Sequence, residues 1–382
     1  MWFHRYYESV LDDYLKPGKV FVLYGLRRAG KTSLIEKYLS GCSEKYFKGT
    51  GEDLILKEIF ESQSVQRIKS SFQAYDLVVI DEAQHISNIG LGLKILVDSM
   101  PSIKVIASGS SSFDLSNKLG EPLTGRQRIG VIYPLSMLEL SEQFGPMEIQ
   151  TRLDEFMVFG TFPETLNIQS DLEKVEYLST LRDSFLLKDL LVLESIKNAS
   201  KLTSLLKLLA FQIGKEVSIT ELSNTLGLAK HTVERYLDLL EKVFVIKRVG
   251  GFSRNLRKEI TKTFRYYFWD NGIRNALINN FNHLDSRDDI GMLWENFIFS
   301  ERLKRNTYKR RYANYYFWRT YDRQEIDFIE EYGGELAGYE FKWAAKEAKK
   351  PKLWLDTYDK SHFETINKAN FLPFITGSSV TV

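Results

Sequence analysis

The chain has 382 residues, 43% of them hydrophobic and 13% aromatic, with a formal net charge of +2 and a single cysteine. That length suits about two to three domains with cores of their own, and the composition excludes a disordered or collagen-like chain. Cys42 alone excludes an internal disulfide framework and a cysteine zinc cluster, and it suits a reducing cytoplasm, the compartment expected here. No apolar run reaches the length of a membrane span, and the segment Met1 to Glu8 lacks the apolar centre of a secretion signal.

In chain order, the first informative stretch is the apolar run Val20 to Tyr24, which breaks at Gly25 and restarts as a helical pattern from Ser33 through Leu34, Ile35, Tyr38 and Leu39. It predicts strand, phosphate-binding loop and helix. Gly25, Leu26, Arg27, Arg28, Ala29, Gly30, Lys31 and Thr32 spell G-x-x-x-x-G-K-T, in which glycines let backbone amides curl around a polyphosphate. Lys31 is expected at the β- and γ-phosphates of ATP and Thr32 on Mg2+, with Ser33 opening the helix.

Further on, Leu77 to Ile80 is a four-residue apolar run ending in Asp81 and Glu82, which reads as a buried parallel strand aiming two acids at the crevice beside the loop. Asp81 is expected in the magnesium shell and Glu82 as the base that orients and deprotonates the attacking water. A third apolar run, Ile103 to Ala107, ends in Ser108-Gly109-Ser110-Ser111, where a serine, Ser110 first, could touch the γ-phosphate; an ordinary serine-rich turn fits as well. Arg126 and Arg128 precede a fourth run, Ile129 to Tyr133. Arg126 is the candidate for stabilising charge on the transferred phosphoryl, in its own chain or a neighbour's in a homo-oligomer, with surface solvation as the alternative.

Gly25 to Thr32, Val78 to Gln84, Ala107 to Ser111, Leu123 to Arg126 and Tyr133-Pro134-Leu135-Ser136 together resemble the prokaryotic AAA-type P-loop ATPases that carry a C-terminal domain of unknown function 4143. The resemblance implies an α/β fold: a parallel P-loop sheet with an additional strand between those bearing the loop and the acidic pair, over residues 1–140. It covers nearly the whole chain but implies no known biological task.

Residues 141–210 are leucine-rich and helical in pattern, broken at Gly160 to Pro163, and are expected to form a lid or connector. Residues 211–270 read as a winged helix: a helix capped by Thr220, a turn at Gly227, a second helix with Val233, Tyr236, Leu237 and Leu240 inward, then strands over Val243–Val249 and Thr261–Phe268. Between Phe211 and Phe268 eleven Lys or Arg face six Asp or Glu, a local excess in a nearly neutral chain. Lys230, His231, Thr232 and Arg235 on the second helix and Arg254, Arg257 and Lys258 on the wing are candidates for DNA contact, with protein docking as the equal alternative.

In residues 271–382, a helix carrying Glu295 precedes two alternating runs, Glu325 to Ile329 and Gly338 to Trp343, joined at Gly333-Gly334. Glu340 and Lys342 share a face, and pairing would bring Asp327 beside them. This pattern resembles the PD-(D/E)xK nuclease-like, restriction-endonuclease-like α/β fold, Asp327, Glu340 and Lys342 matching its motif and Glu295 its helical acid. The resemblance implies metal-assisted phosphodiester chemistry or an inert module of the same shape. The five histidines are scattered, and only His85, beside the acidic pair, lies near the proposed chemistry.

Overall fold

The structure, a computed structural model, describes residues 1–109, 123–184, 199–253, 263–320 and 324–377. The chain divides into two compact units, 4–134 with 242–244 and 1–3 with 135–241 and 245–382. No helix among the described residues is long and apolar enough to cross a membrane.

The smaller unit is built on five parallel strands, β1 (Lys19–Gly25), β2 (Tyr46–Thr50), β3 (Leu77–Asp81), β4 (Lys104–Gly109) and β5 (Gln127–Ile132), in the order β2-β3-β4-β1-β5. β4 lies between β1 and β3, the additional strand that the family resemblance implies. β3 is buried at every position because helices cover both faces of the sheet, which is why its sequence is a continuous apolar run rather than an alternation. On one face Val20, Val22, Val78, Ile80, Val105 and Ala107 pack against Leu56, Phe60, Ile68, Phe72 and Leu93. On the other, Phe21 meets the rings of Tyr7 and Tyr14 from the Tyr6–Tyr14 helix. The register pairs Tyr24 with Gly109 and Ile80 with Ala107, so the tips of β1, β3 and β4 end side by side.

The larger unit opens with helices over Met137–Gln143, Pro146–Thr151, Leu153–Phe159, Pro163–Asn167, Asp171–Leu181 and Ala199–Phe211. Seven strands follow: β6 (Glu216–Ser218), β7 (Ile246–Gly251), β8 (Thr263–Phe268), β9 (Asn314–Arg319), β10 (Glu325–Tyr332), β11 (Glu335–Phe341) and β12 (Ser361–Ile366). They form one sheet in the order β12-β11-β10-β9-β7-β8-β6. The segments expected as separate C-terminal modules therefore share a sheet, joined where Gly250 and Gly251 pair in parallel with Tyr316 and Phe317.

Helices Ile219–Leu226 and Lys230–Lys242 flank the turn at Gly227, whose φ of 61° closes the first helix in the left-handed conformation. The cap of that helix is Ser218, whose hydroxyl accepts from the Glu221 amide; Thr220 lies inside the helix, too late in the chain to cap it. β10 and β11 form the expected hairpin, with Gly333 and Gly334 both at positive φ, as a two-residue loop following the strands' twist requires. The pairing of β10 with β9 slips between Ile326 and Ile329, a bulge that takes Asp327 out of the ladder.

Candidate functional site

In the smaller unit the loop after β1 is bracketed by Gly25 and Gly30. A β-carbon on Gly25 would stand 2.1 Å from the Ile132 carbonyl oxygen, so no larger residue fits there. Gly30 has a φ of 98° and precedes the Lys31–Ser40 helix, whose first-turn amides face the loop's interior. Lys31 is 4% exposed; its Nζ donates to the carbonyl oxygens of Gly25 at 3.0 Å and Leu26 at 3.1 Å. Burial lowers its pKa to about 8, against the opposing pull of Glu82 and Asp81.

Thr32 Oγ1 donates to Asp81 Oδ2 at 2.7 Å, so the loop helix and the tip of β3 already meet. Ser108, fully buried at the tip of β4, donates to the other oxygen of Asp81. The Glu82 amide reaches Asp81 Oδ1 and Ser108 Oγ, both at 3.2 Å, and Gln84 Nε2 donates to Glu82 Oε2. Glu82 sits at a φ of 49°, a conformation that costs about 1 kcal/mol or more for a residue with a side chain and that these bonds hold in place. Its carbonyl also abuts Gly51, where a β-carbon would come within 2.3 Å. The hydroxyl and carboxylate oxygens of Thr32 and Asp81 are hard donors suited to Mg2+.

Two residues of this arrangement, Gln84 and Arg5, are given no role by the motif reading. Ser108 is the serine described at the β4 tip, and Ser110, named first for the γ-phosphate, lies outside the described residues. Gln84 orients the Glu82 carboxylate. Arg5, 5% exposed, donates from Nη1 to the Ala29 carbonyl at 2.8 Å and from Nη2 to the Tyr133 carbonyl at 2.7 Å, bracing the phosphate loop against the end of β5. Its only signal in the sequence is an arginine within an aromatic N-terminal helix start. Arg5→Met should lower stability by about 2–4 kcal/mol, because two buried carbonyls lose a charged donor, and should raise the KM for ATP more than it lowers kcat. Urea unfolding and a turnover titration read both effects; an unchanged KM would reduce Arg5 to a structural residue.

Arg126 requires a correction as a same-chain phosphoryl-stabilising group. Its carbonyl accepts from the Val20 amide at the entry end of β1, and Nε pairs with Asp98 at 2.6 Å. The loop lies five residues along β1 from there, roughly 17 Å at the rise of a parallel strand. Arg128, one step into β5, donates to the Asp13 carbonyl. Arg28 is exposed, Arg27 half-buried, and Ser33 exposed on the first turn of the helix. His85 is exposed, 3.8 Å from Glu52.

In the larger unit the four nuclease-like residues do converge. The Phe341 amide donates to Asp327 Oδ2 at 3.0 Å, and Lys342 Nζ to Glu340 Oε1 at 2.6 Å. The Ile290–Tyr308 helix is fixed to β8 by Asn296, which accepts from the Phe268 amide and donates to its carbonyl, and this sets Glu295 over the cluster. Tyr267 donates to Glu295 Oε1 at 2.7 Å. The sequence reading missed Arg265, whose Nη1 lies 3.6 Å from both Glu295 Oε1 and Asp327 Oδ1 and whose Nη2 bonds Glu325. Burial and the neighbouring Asp327 push the Glu295 carboxyl well above its usual range and that of Glu340 up to about 7. Burial also raises Asp327. Burial pulls Lys342 down, but the bond to Glu340 together with the nearby charges of Glu340, Asp327 and Glu295 raises it overall. A cleft of about 380 Å³ opens on the Arg265 side, lined by Lys215, Glu216, Glu295, Arg319 and Glu325 among others. Lys230 and Arg235 are exposed on the second helix after Gly227, while Arg254, Arg257 and Lys258 lie outside the described residues.

The parallel sheet with its inserted strand, the glycine loop and the Asp81-Glu82 tip define a P-loop ATPase domain. Residues 17–141 match the AAA domain family, and this part of the chain is an ATPase domain. Residues 150–284 match a Domain of unknown function (DUF8612) and residues 290–368 another (DUF4143). An uncharacterized protein of Haemophilus influenzae is 27% identical over 341 residues, 82% of this chain and 80% of its own length. One of Mycobacterium tuberculosis is 26% identical over 330 residues, 85% of this chain and 70% of its own. Among solved structures, a Walker-type ATPase of Pyrococcus abyssi aligns over 72% of this chain and 94% of its own, with 18% identity and a TM-score of 0.46.

Proposed function

We propose that the chain hydrolyses Mg2+-bound ATP and that its nucleotide state governs DNA contact by the larger unit. The observation that carries the first half is the meeting of Thr32, Asp81, Ser108 and Glu82 at three adjacent strand and helix ends. In this reading the amides of residues 25–33 hold the phosphates, Lys31 leaves the loop carbonyls for the β- and γ-phosphates, and Thr32 and Asp81 hold Mg2+. When bound, the ion neutralises charge on the phosphates. Glu82, aimed by Gln84, takes the proton of the attacking water. Arg126 is turned to Asp98, so further positive charge would come from Arg27 or Arg28 of the loop itself or from an arginine of a second copy.

The DNA half rests on the described part of residues 211–270, where strand, helix, turn, helix and two antiparallel strands follow in the order of a winged helix. Val233, Tyr236, Leu237 and Leu240 are buried, leaving Lys230, His231 and Arg235 exposed at the start of the second helix, the end that enters a groove in such modules. Lys230→Ala with Arg235→Ala should weaken duplex binding at low salt and lower the slope of log affinity against log salt by about one for each phosphate no longer neutralised. ATP turnover should rise when duplex is added to the unaltered chain and should not in the double variant.

The Arg265 contact favours a second reading for the C-terminal segment, a nuclease-like shape without cutting activity that serves as a contact surface in a nucleotide-driven protein switch. Turnover indifferent to DNA, together with absent duplex binding at low salt, would make that the better account of the whole chain.

A further inference from the structure

The carboxylate cluster of β10, β11 and the Ile290–Tyr308 helix has the residue types of a divalent-cation centre, yet the place where such a cation would sit is taken. Arg265 comes from β8, outside the motif that the cluster resembles. Its position is fixed by pairing on both sides, with Val249 of β7 and Glu216 of β6. The side chain is 4% exposed and its guanidinium lies 4.6 Å from the Phe317 ring centre, so the group is walled in rather than draped over a surface. From there it faces Glu295 and Asp327 equally and bonds Glu325.

We infer that the Arg265 guanidinium, not a divalent metal, is the resident cation of this cluster. Mg2+ or Mn2+ needs several oxygens at about 2.0–2.2 Å in near-octahedral order. Glu295 and Asp327 instead both stand at ion-pair spacing, 3.6 Å, from one nitrogen of the Arg265 guanidinium. Among the described residues no group of three or more His, Cys, Asp or Glu side chains is arranged to hold a metal ion. Charge points the same way. Arg265 already sets a positive charge 3.6 Å from Glu295 and from Asp327, and Lys342 a second one 2.6 Å from Glu340. A divalent ion would enter beside a held guanidinium, and like charges at such range oppose one another. Arginine cannot relieve this by losing its proton, since its acid strength is too low and the surrounding carboxylates raise its pKa further.

Occupancy of this site does not depend on the ATP reading, so it is tested without nucleotide. Free Mn2+ is counted by its electron-spin resonance signal while it is titrated into the full chain. The unaltered chain and Asp327→Asn should bind equal amounts. Arg265→Gln should gain one Mn2+ equivalent, and the Arg265→Gln/Asp327→Asn pair should lose it again, while Arg265→Lys, which keeps the charge, should gain none. A circular-dichroism melt confirms that each variant is folded. A Mn2+ equivalent present in the unaltered chain and absent in Asp327→Asn would overturn the inference, as would a folded Arg265→Gln that gains nothing. Should Arg265→Gln fail to fold, the comparison of the unaltered chain with Asp327→Asn still decides it.

Discussion

Glu82→Gln should keep ATP bound while turnover falls about 10²–10⁴-fold, the range that a positioned general base contributes. The amide has the shape of the carboxylate, and what holds residue 82 in its left-handed conformation is mostly backbone: its amide bonds Asp81 and Ser108. Those bonds survive the substitution, so the loop, Thr32 and Asp81 should keep their arrangement. What is lost is the oxygen that accepts a proton, and the remaining side-chain carbonyl can still accept from Gln84. Phosphate release and nucleotide affinity measured on the same preparation separate the two effects. Turnover within about threefold of the unaltered chain would move the base elsewhere, because a group that contributes so little is not transferring the proton in the transition state.

How far the sequence could be read differs between the two units, for physical reasons. In the smaller one the central strands are buried on both faces and run parallel to their neighbours, so an apolar run announces both the strand and the direction in which its polar tip points. Gly25, Lys31, Thr32, Asp81 and Glu82 sit at those tips and were legible as a group. The same rule contained the correction for Arg126: a residue that precedes a parallel strand lies at the end opposite the tips, and the motif reading did not apply it. Arg5 was out of reach because its partner Ala29 is 24 residues away and the bond is made to a carbonyl, which any residue type would offer. In the larger unit the hairpin was legible from alternation and from Gly333-Gly334. The shared sheet was not, since β7 and β9 meet in only two register pairs between distant segments. Arg265 belongs to one half of that sheet and Asp327 and Glu325 to the other, so no local pattern could have joined them.

Lys31→Met should abolish most ATP turnover, by about 10²–10³-fold as for loss of one preorganised charge-stabilising donor, and it should also change how stability depends on pH. Lys31 is buried and its pKa is lowered from 10.5 to about 8. The folded group therefore gives up its proton more readily than the unfolded one. Below pH 8 both states hold it charged and the folded state bears the whole desolvation cost, on the order of 3 kcal/mol at about 1.4 kcal/mol per unit. Between pH 8 and 10.5 the unfolded chain binds the extra proton, so stability contributed by this group rises with pH across that window. Relative to Lys31→Met, the unaltered chain should thus gain about 1 kcal/mol between roughly pH 8 and 9 in urea unfolding, with no relative gain between about pH 6 and 7. At neutral pH the variant escapes the desolvation cost but strands the Gly25 and Leu26 carbonyls without their donor, which offsets part of the benefit. ATP should raise the melting temperature of the unaltered chain more than that of the variant, because phosphate oxygens give the charged ammonium what burial denied it. A stability difference that does not vary with pH would mean that Lys31 reaches solvent in the folded chain, and the charge it offers to phosphate would then carry no desolvation cost.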